Sequence, residues 1–462
     1  MTRQETELHD LVGIGFGPAN IGLAVALDEI GWEGSALFLE RCITPDWQPG
    51  MLLDGADIQH NPLRDFVTPR KPSSRFSFLN FLKSENRLFQ FLNLPTAFPL
   101  RKDYAAYVRW VANHFTHCVS YQSDVVDVSL ESVSQQRDSP IAAVHLADGR
   151  TIRARAISFA PGRTPAIPNV FSPHLGDRVV HFTDYLPARE RWRRQGAVKS
   201  VCVVGGSQSA VEITLDLASL TPQIQVINLH RGFGYQLKDT SPFTEEIYFP
   251  EFVDAFYQSS DLRRRELWAE LRRSNYGSAD QDVIDQLYCK LYEHDLDGKH
   301  QISLRTNCNI VAVGQANSGA FDLALEDRGS FERTILSVDA VVLATGFRNL
   351  GLRENEERFP PLLRQVAASL GDQRAVLSLS RDYRMMDGSR PLPIFINGLC
   401  ESSHGFGDAG SFSLLSLRSQ MIAGSLMEYL SPQVHLTSSR QLPAVVAASK
   451  KTEQVKCLKR TV

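Results

Sequence analysis

"VCVVGGSQSAVEITLDLA", residues 201–218, reads as a buried strand, a glycine turn and a helix that opens with small residues. The same order stands near the N-terminus in "DLVGIGFGPANIGLAVALDEIG", residues 10–31. A strand, a glycine turn and a helix in that order form the phosphate-holding half of a doubly wound α/β fold. One such unit holds one dinucleotide. Two of them predict an α/β chain with two Rossmann-like dinucleotide-binding domains.

The two units end differently. In the first, Gly13, Gly15 and Gly17 follow an apolar strand, and their backbone N–H groups suit a pyrophosphate at the helix N-terminus. The next strand, "SALFLE", ends in Glu40, an acceptor for ribose hydroxyls that repels a 2′-phosphate, so this unit suits FAD or NAD. In the second, Gly205, Gly206 and Ser207 form the turn, and Gln208 and Ser209 open the helix. Its next strand, "IQVINLHRGFG", carries Arg231 about where Glu40 stands in the first unit, and a cation there attracts the 2′-phosphate of NADPH. The two units therefore hold different cofactors, FAD in the first and NADPH in the second.

Two further stretches bear on how the domains are joined. "AISFAPGRTPAIP", residues 156–168, reads as the crossing out of the FAD domain; "SVDAVVLATGFRN", residues 337–349, with Thr345 and Gly346, reads as the return. The FAD domain is thus discontinuous, with residues 1–195 as its first part and 339–432 as its return. The NADPH domain takes residues 196–338, residues 244–300 form a helical substrate lobe, and 433–462 form a disordered tail.

Composition narrows the function class. With 462 residues and a net charge of −3, there is no basic field for nucleic acid or an anionic membrane. No apolar run reaches the ~18–20 residues of a membrane span, and the polar start lacks a signal core. The seven cysteines are scattered without a CxxC, which predicts a reducing, cytoplasmic setting and no metal site. The same scatter argues against a disulfide reductase, which needs a cysteine pair beside its flavin.

With these motifs in order, the chain resembles the flavin-dependent N-hydroxylating monooxygenases, the ornithine, lysine and diamine N-hydroxylases of siderophore pathways. The resemblance runs over about residues 8–430 and rests on "GIGFGPANIGLAVAL", "IQHNPLRDFVTPRKPSSRFSFLNFL", "FPLRKDYAAYVRWVA", "VVGGSQSAVE", "DTSPFTEEIYFPEFVDAFY", "RSNYGSADQDVIDQLY", "LATGF" and "ESSHGFGDAGSFSLLSLRS". It implies that NADPH reduces FAD, O₂ adds to give a C4a-hydroperoxyflavin, and the distal oxygen passes to a neutral amine. It also implies that Gln59 lies between flavin and nicotinamide, that Trp47 and Arg101 line the flavin, and that Gln208 and Ser209 face the nicotinamide. Arg64, Glu245, Asn275 and Ser413 fall at substrate positions, with Gln59, Arg64 and Asn275 at the catalytic centre. A lobe of this kind also makes homo-oligomer contacts in related enzymes.

Two positions depart from the family pattern. Arg64 stands where the ornithine hydroxylases carry a carboxylate-binding lysine, and Glu245 stands where they carry an asparagine. Either Glu245 receives an ammonium while Arg64 serves a carboxylate or neutralises Glu245, or the two pair as structure and leave a smaller pocket. The departures also leave open a non-oxygenating NADPH oxidase or redox sensor built on the same fold.

Overall fold

The computed structural model describes residues 8–96, 98–131, 140–220, 224–370 and 377–431. The tail predicted over 433–462 lies outside the described residues. The strand Leu8–Ile14 lies inside an eight-stranded sheet, parallel to Ala36–Leu39 on one side and Thr151–Phe159 on the other. Register sets Gly13 opposite Phe38 and Ser158. The helix Pro18–Glu29 is apolar almost all round, with residues 20–27 buried. Its environment explains this, because the helix lies between the sheet and the C-terminal helix Leu415–Leu430. The approach is close: a Cβ at Gly22 would sit 2.7 Å from Ser419 Oγ.

A second sheet has five parallel strands in the order Ile302–Arg305, Gln225–Leu229, Ser200–Val204, Ala340–Leu343 and Val179–His181. One face is covered by the helices Tyr185–Gln195 and Gln208–Leu220. The other carries a three-stranded antiparallel sheet whose Phe321, Leu323 and Leu325 point inward at alternate positions.

Sheet membership moves both domain boundaries. Val179–His181 was expected in the first part of the FAD domain and Ala340–Leu343 in its return, yet both pair within the second sheet. Short apolar strands do not announce which sheet they join, since pairing is decided by partners far away in sequence. The crossings themselves lie side by side. Ala166 N donates to Gly346 O at 2.9 Å, Arg348 N to Thr164 O at 2.8 Å, and Thr345 Oγ1 to Ala166 O at 2.6 Å.

The segment 244–300 forms helices as expected: Pro250–Gln258, Asp261–Leu271 and Gln281–Leu296. It packs through Ile247, Tyr248 and Phe252 against Phe406, which brings residues 245 and 275 beside the 401–413 stretch. Among the described residues no helix is long and apolar enough to cross a membrane.

Candidate active site

The first glycine turn is fixed from both sides. Gly15 takes a left-handed φ of 78°, and a Cβ there would lie 2.4 Å from the Ala160 carbonyl oxygen. Asn20, buried in the helix, donates to Gly15 O at 2.7 Å and accepts from Ser158 Oγ at 2.6 Å. Gly17 caps the helix with no side-chain partner, which leaves the first-turn N–H groups for an anion. Glu40 stands at the strand end, where its two oxygens accept N–H groups from Phe16 and Cys42, both at 2.8 Å. Each oxygen keeps a lone pair for a ribose hydroxyl.

The second turn repeats this plan. Gly205 N bonds Leu229 O at 2.9 Å, as Gly15 N bonds Leu39 O at 2.8 Å. Asn228 donates to Gly205 O at 3.1 Å, the counterpart of Asn20, although it comes from a strand. This register corrects one sequence expectation. The residue in Glu40's place is His230, and Arg231 lies one position further on, exposed. His230 packs its ring against Gly206, and burial pushes its pKa down. Burial first, and then the neighbouring Arg231 cation, push Arg272 down. Ser207 O accepts from Ala210 N and Val211 N, while Ser209 lies in the first turn of the helix. Gln208 donates to Glu212 at 2.9 Å and accepts from the Asp280 N–H at 2.8 Å. Thr345 and Gly346 lie on the return crossing, where their polar groups bind Ala166 and His181.

Between the turns lies a polar seam. Gln59 adopts a left-handed φ of 59° in a turn closed by Asp57 Oδ1, which accepts its N–H at 2.9 Å. Its amide donates to Asp280. Burial, with Asp280, Asp282 and Glu212 close by, raises Asp57 to about 6. Arg101 grips both oxygens of Glu212 at 3.0 Å and donates to the carbonyls of Met51 and Asp57. Both Nη atoms are thus engaged with protein acceptors, which makes Arg101 a buried bridge between the two units. Trp47 is half-buried and meets Tyr104 and Phe412 edge-on. His60 joins the same aromatic cluster, with burial pushing it down to about 4, so it stays neutral at pH 7.

Beside that cluster the predicted substrate residues meet. The buried Asp65 accepts N–H groups from Val67, Thr68 and Phe78, which shapes the loop that presents Arg64. Arg64 Nη1 lies 3.3 Å from Glu245 Oε2 and 3.3 Å from Ser413 Oγ, and the guanidinium sits 4.8 Å from the Tyr248 ring centre. About a quarter of each charged side chain remains exposed, 27% for Arg64 and 26% for Glu245. Asn275 Nδ2 is buried without a hydrogen-bond partner, close to Gly410.

A profile of the L-lysine 6-monooxygenase/L-ornithine 5-monooxygenase family matches residues 7–349. The L-ornithine N(5)-monooxygenase of Pseudomonas aeruginosa is 34% identical over 438 residues, 92% of this chain and 95% of that one. The chain belongs to the lysine/ornithine N-monooxygenase family. Solved relatives agree across the whole fold. The ornithine hydroxylase of Pseudomonas aeruginosa superposes with a TM-score of 0.82 at 32% identity, covering 92% of this chain and 100% of that one. The ornithine N-hydroxylase of Kutzneria sp. 744, solved with reduced FAD, NADP⁺ and L-ornithine, gives 0.82 at 31% identity with the same coverage.

This N-monooxygenase also uses residues that the sequence did not single out. Asn20 and Asn228 anchor the glycine turns, and Asp280 joins Gln59 to Gln208. A signal existed for two of them. Asn20 stands at the head of the apolar run "IGLAVAL", and Asn228 interrupts "IQVINL"; a polar residue inside a buried element needs partners there. For Asp280 no local signal exists, because its partner Gln59 lies 221 residues away.

Proposed function

We propose that this N-monooxygenase uses FAD and NADPH to convert the side-chain amine of an α-amino acid to a hydroxylamine, a building block for siderophores or related natural products. FAD suits the first turn, whose helix start offers free N–H groups and whose Glu40 retains acceptors for a ribose. NADPH suits the second, where the exposed Arg231, one residue past the strand-end His230, supplies a cation for a 2′-phosphate. With both bound, the flavin supplies O₂ activation: NADPH gives two electrons, one oxygen atom goes to the amine and the other leaves as water.

The observation that carries the substrate reading is the partly exposed Arg64–Glu245 pair beside the unpartnered Asn275 amide. Its single hydrogen bond uses one Arg64 nitrogen and one Glu245 oxygen. The remaining Arg64 donors suit a carboxylate, and Glu245 Oε1 suits an ammonium. A zwitterionic amino-acid head matches that charge pattern, with Asn275 Nδ2 as a further donor. With the head bound there, the neighbouring neutral aromatic cluster of Trp47, His60, Tyr104 and Phe412 favours the uncharged form of the far amine. The aromatic rings also keep water from the reacting region.

The test is hydroxylamine yield per NADPH across ornithine, lysine, putrescine, cadaverine and arginine. An α-amino acid should give the highest kcat/KM with little peroxide. A diamine that outperforms every amino acid would overturn the zwitterion site. NADPH consumption that yields peroxide with every amine would favour the non-oxygenating alternative.

A further inference from the structure

A closed ring of hydrogen bonds links the 57–59 turn to the start of the second unit's helix. Asp57 Oδ1 holds the Gln59 N–H at 2.9 Å. Gln59 Nε2 donates to Asp280 Oδ2. Asp280 N donates to Gln208 Oε1 at 2.8 Å, and Gln208 Nε2 donates to Glu212 Oε1 at 2.9 Å. Arg101 then grips Glu212 and returns to the Asp57 carbonyl at 3.2 Å. Lys238 stands 3.8 Å from the other Asp280 oxygen.

The chemistry of the links fixes their direction. A carboxylate only accepts and a backbone N–H only donates, whereas a carboxamide has one end of each kind. The Asp280 carboxylate therefore draws the NH₂ end of Gln59 and turns its carbonyl oxygen the opposite way. The Asp280 N–H likewise draws the carbonyl end of Gln208 and leaves its NH₂ for Glu212. One residue sets the polarity of both glutamines, through its side chain for the first and its backbone for the second.

We propose that Asp280 is a positioning residue for the reaction: it orients the Gln59 amide, ties that turn to the helix that opens at Gln208, and so keeps nicotinamide and flavin in register. The proposal rests on the reading that Gln59 lies between the two cofactors. A Gln59 amide free to flip would present a donor where the cofactor interface meets an acceptor. NADP⁺ would then be held loosely, and oxygen would leave as peroxide before it met the amine.

The experiment compares holoenzyme carrying Asp280→Asn, Asp280→Ala, Gln59→Ala or Asp280→Ala with Gln59→Ala. It reads the NADP⁺ dissociation constant from the visible flavin spectrum, the hydroxylamine-to-peroxide ratio and the Tm. Both Asp280 variants should weaken NADP⁺ about tenfold, the scale of one charge-assisted hydrogen bond, and shift product toward peroxide. The double variant should be no worse than Gln59→Ala alone, because Asp280 acts through Gln59. Asp280 variants with a lowered Tm but unchanged NADP⁺ affinity and product ratio would overturn the proposal, as would additive losses in the double variant. If Asp280→Ala yields no folded flavoprotein, the near-isosteric Asp280→Asn decides on the same readouts. Gln59→Ala separates the two levels. If it leaves affinity and ratio untouched, the placement of Gln59 fails and the proposal with it; if it moves both while neither Asp280 variant does, the proposal alone fails.

Discussion

Glu245 meets Arg64 through one hydrogen bond of 3.3 Å while its second oxygen remains uncommitted. Glu245→Asn removes the anion but keeps an acceptor, so KM for the native amino acid should rise about five- to tenfold while NADPH-driven flavin reduction is unchanged. An unchanged KM for every hydroxylated amine would place Glu245 outside the substrate contacts. Arg231 offers a second test. Arg231→Ala should weaken NADPH by ~1–3 kcal/mol and leave NADH nearly unaffected, measured as flavin reduction rate against concentration of each nucleotide. Asp57 gives a pH-dependent one. Its pKa is raised from 3.8 to about 6, so the folded state binds its proton more tightly than the unfolded chain does. The ionised carboxylate therefore costs stability, a cost absent below pH 3.8 and complete above about pH 6. Asp57→Asn should raise Tm at about pH 7.5 by a few degrees and give no gain near pH 4. At this scale the glycine turn and the strand-end position of Glu40 were legible because they are local signals on one strand–turn–helix. The position given to Arg231 was off by one residue, since the register that places His230 in the Glu40 position depends on a backbone bond to Leu229.

The two strand–turn–helix elements were the most legible part of the chain, because an apolar strand, glycines and a helix start follow each other within about twenty residues. Their glycines divide the labour, and substitution can separate the parts. Gly15 is needed by the fold: Gly15→Ala forces a side chain into φ 78° and to 2.4 Å from a carbonyl oxygen, so little folded protein should be recovered. At Gly17 the φ is −81° and a Cβ meets no protein atom within 4 Å. Gly17→Ala should therefore fold with near wild-type circular dichroism yet retain little yellow flavin absorbance, because the methyl group enters the approach to the pyrophosphate. Full flavin content in that variant would place the pyrophosphate elsewhere. The strands Val179–His181 and Ala340–Leu343 were the least legible elements. One is the three residues VVH and the other the four residues AVVL, and nothing in such short runs states which sheet they join.

Across the whole molecule, the buried Arg101–Glu212 pair connects a helix of the FAD side to the helix of the second turn, with side chains 10% and 6% exposed. Arg101→Ala leaves Glu212 buried and unpaired and should cost about 3–5 kcal/mol, read as a lower Tm of the holoenzyme; Arg101→Met with Glu212→Leu should recover much of that loss. The family resemblance implied that Arg101 lines the flavin and gave no hint of this pairing, since Glu212 lies 111 residues away. The two crossings carry a different consequence. They meet at hydrogen bonds between Ala166 and Gly346 and between Thr164 and Arg348, so everything from 167 to 345 leaves and returns at one place. That stretch is topologically a loop hung on the first sheet, which can pair its own strands without threading through it. A gene segment for one dinucleotide fold dropped into a turn of another would produce this connectivity without breaking a strand of the host. The same geometry gives the segment two adjacent covalent joints, yet it also carries Glu212, Glu245 and Asp280, so a cassette exchanged there brings its own contacts to Arg101, Arg64 and Gln59 along with its nucleotide preference.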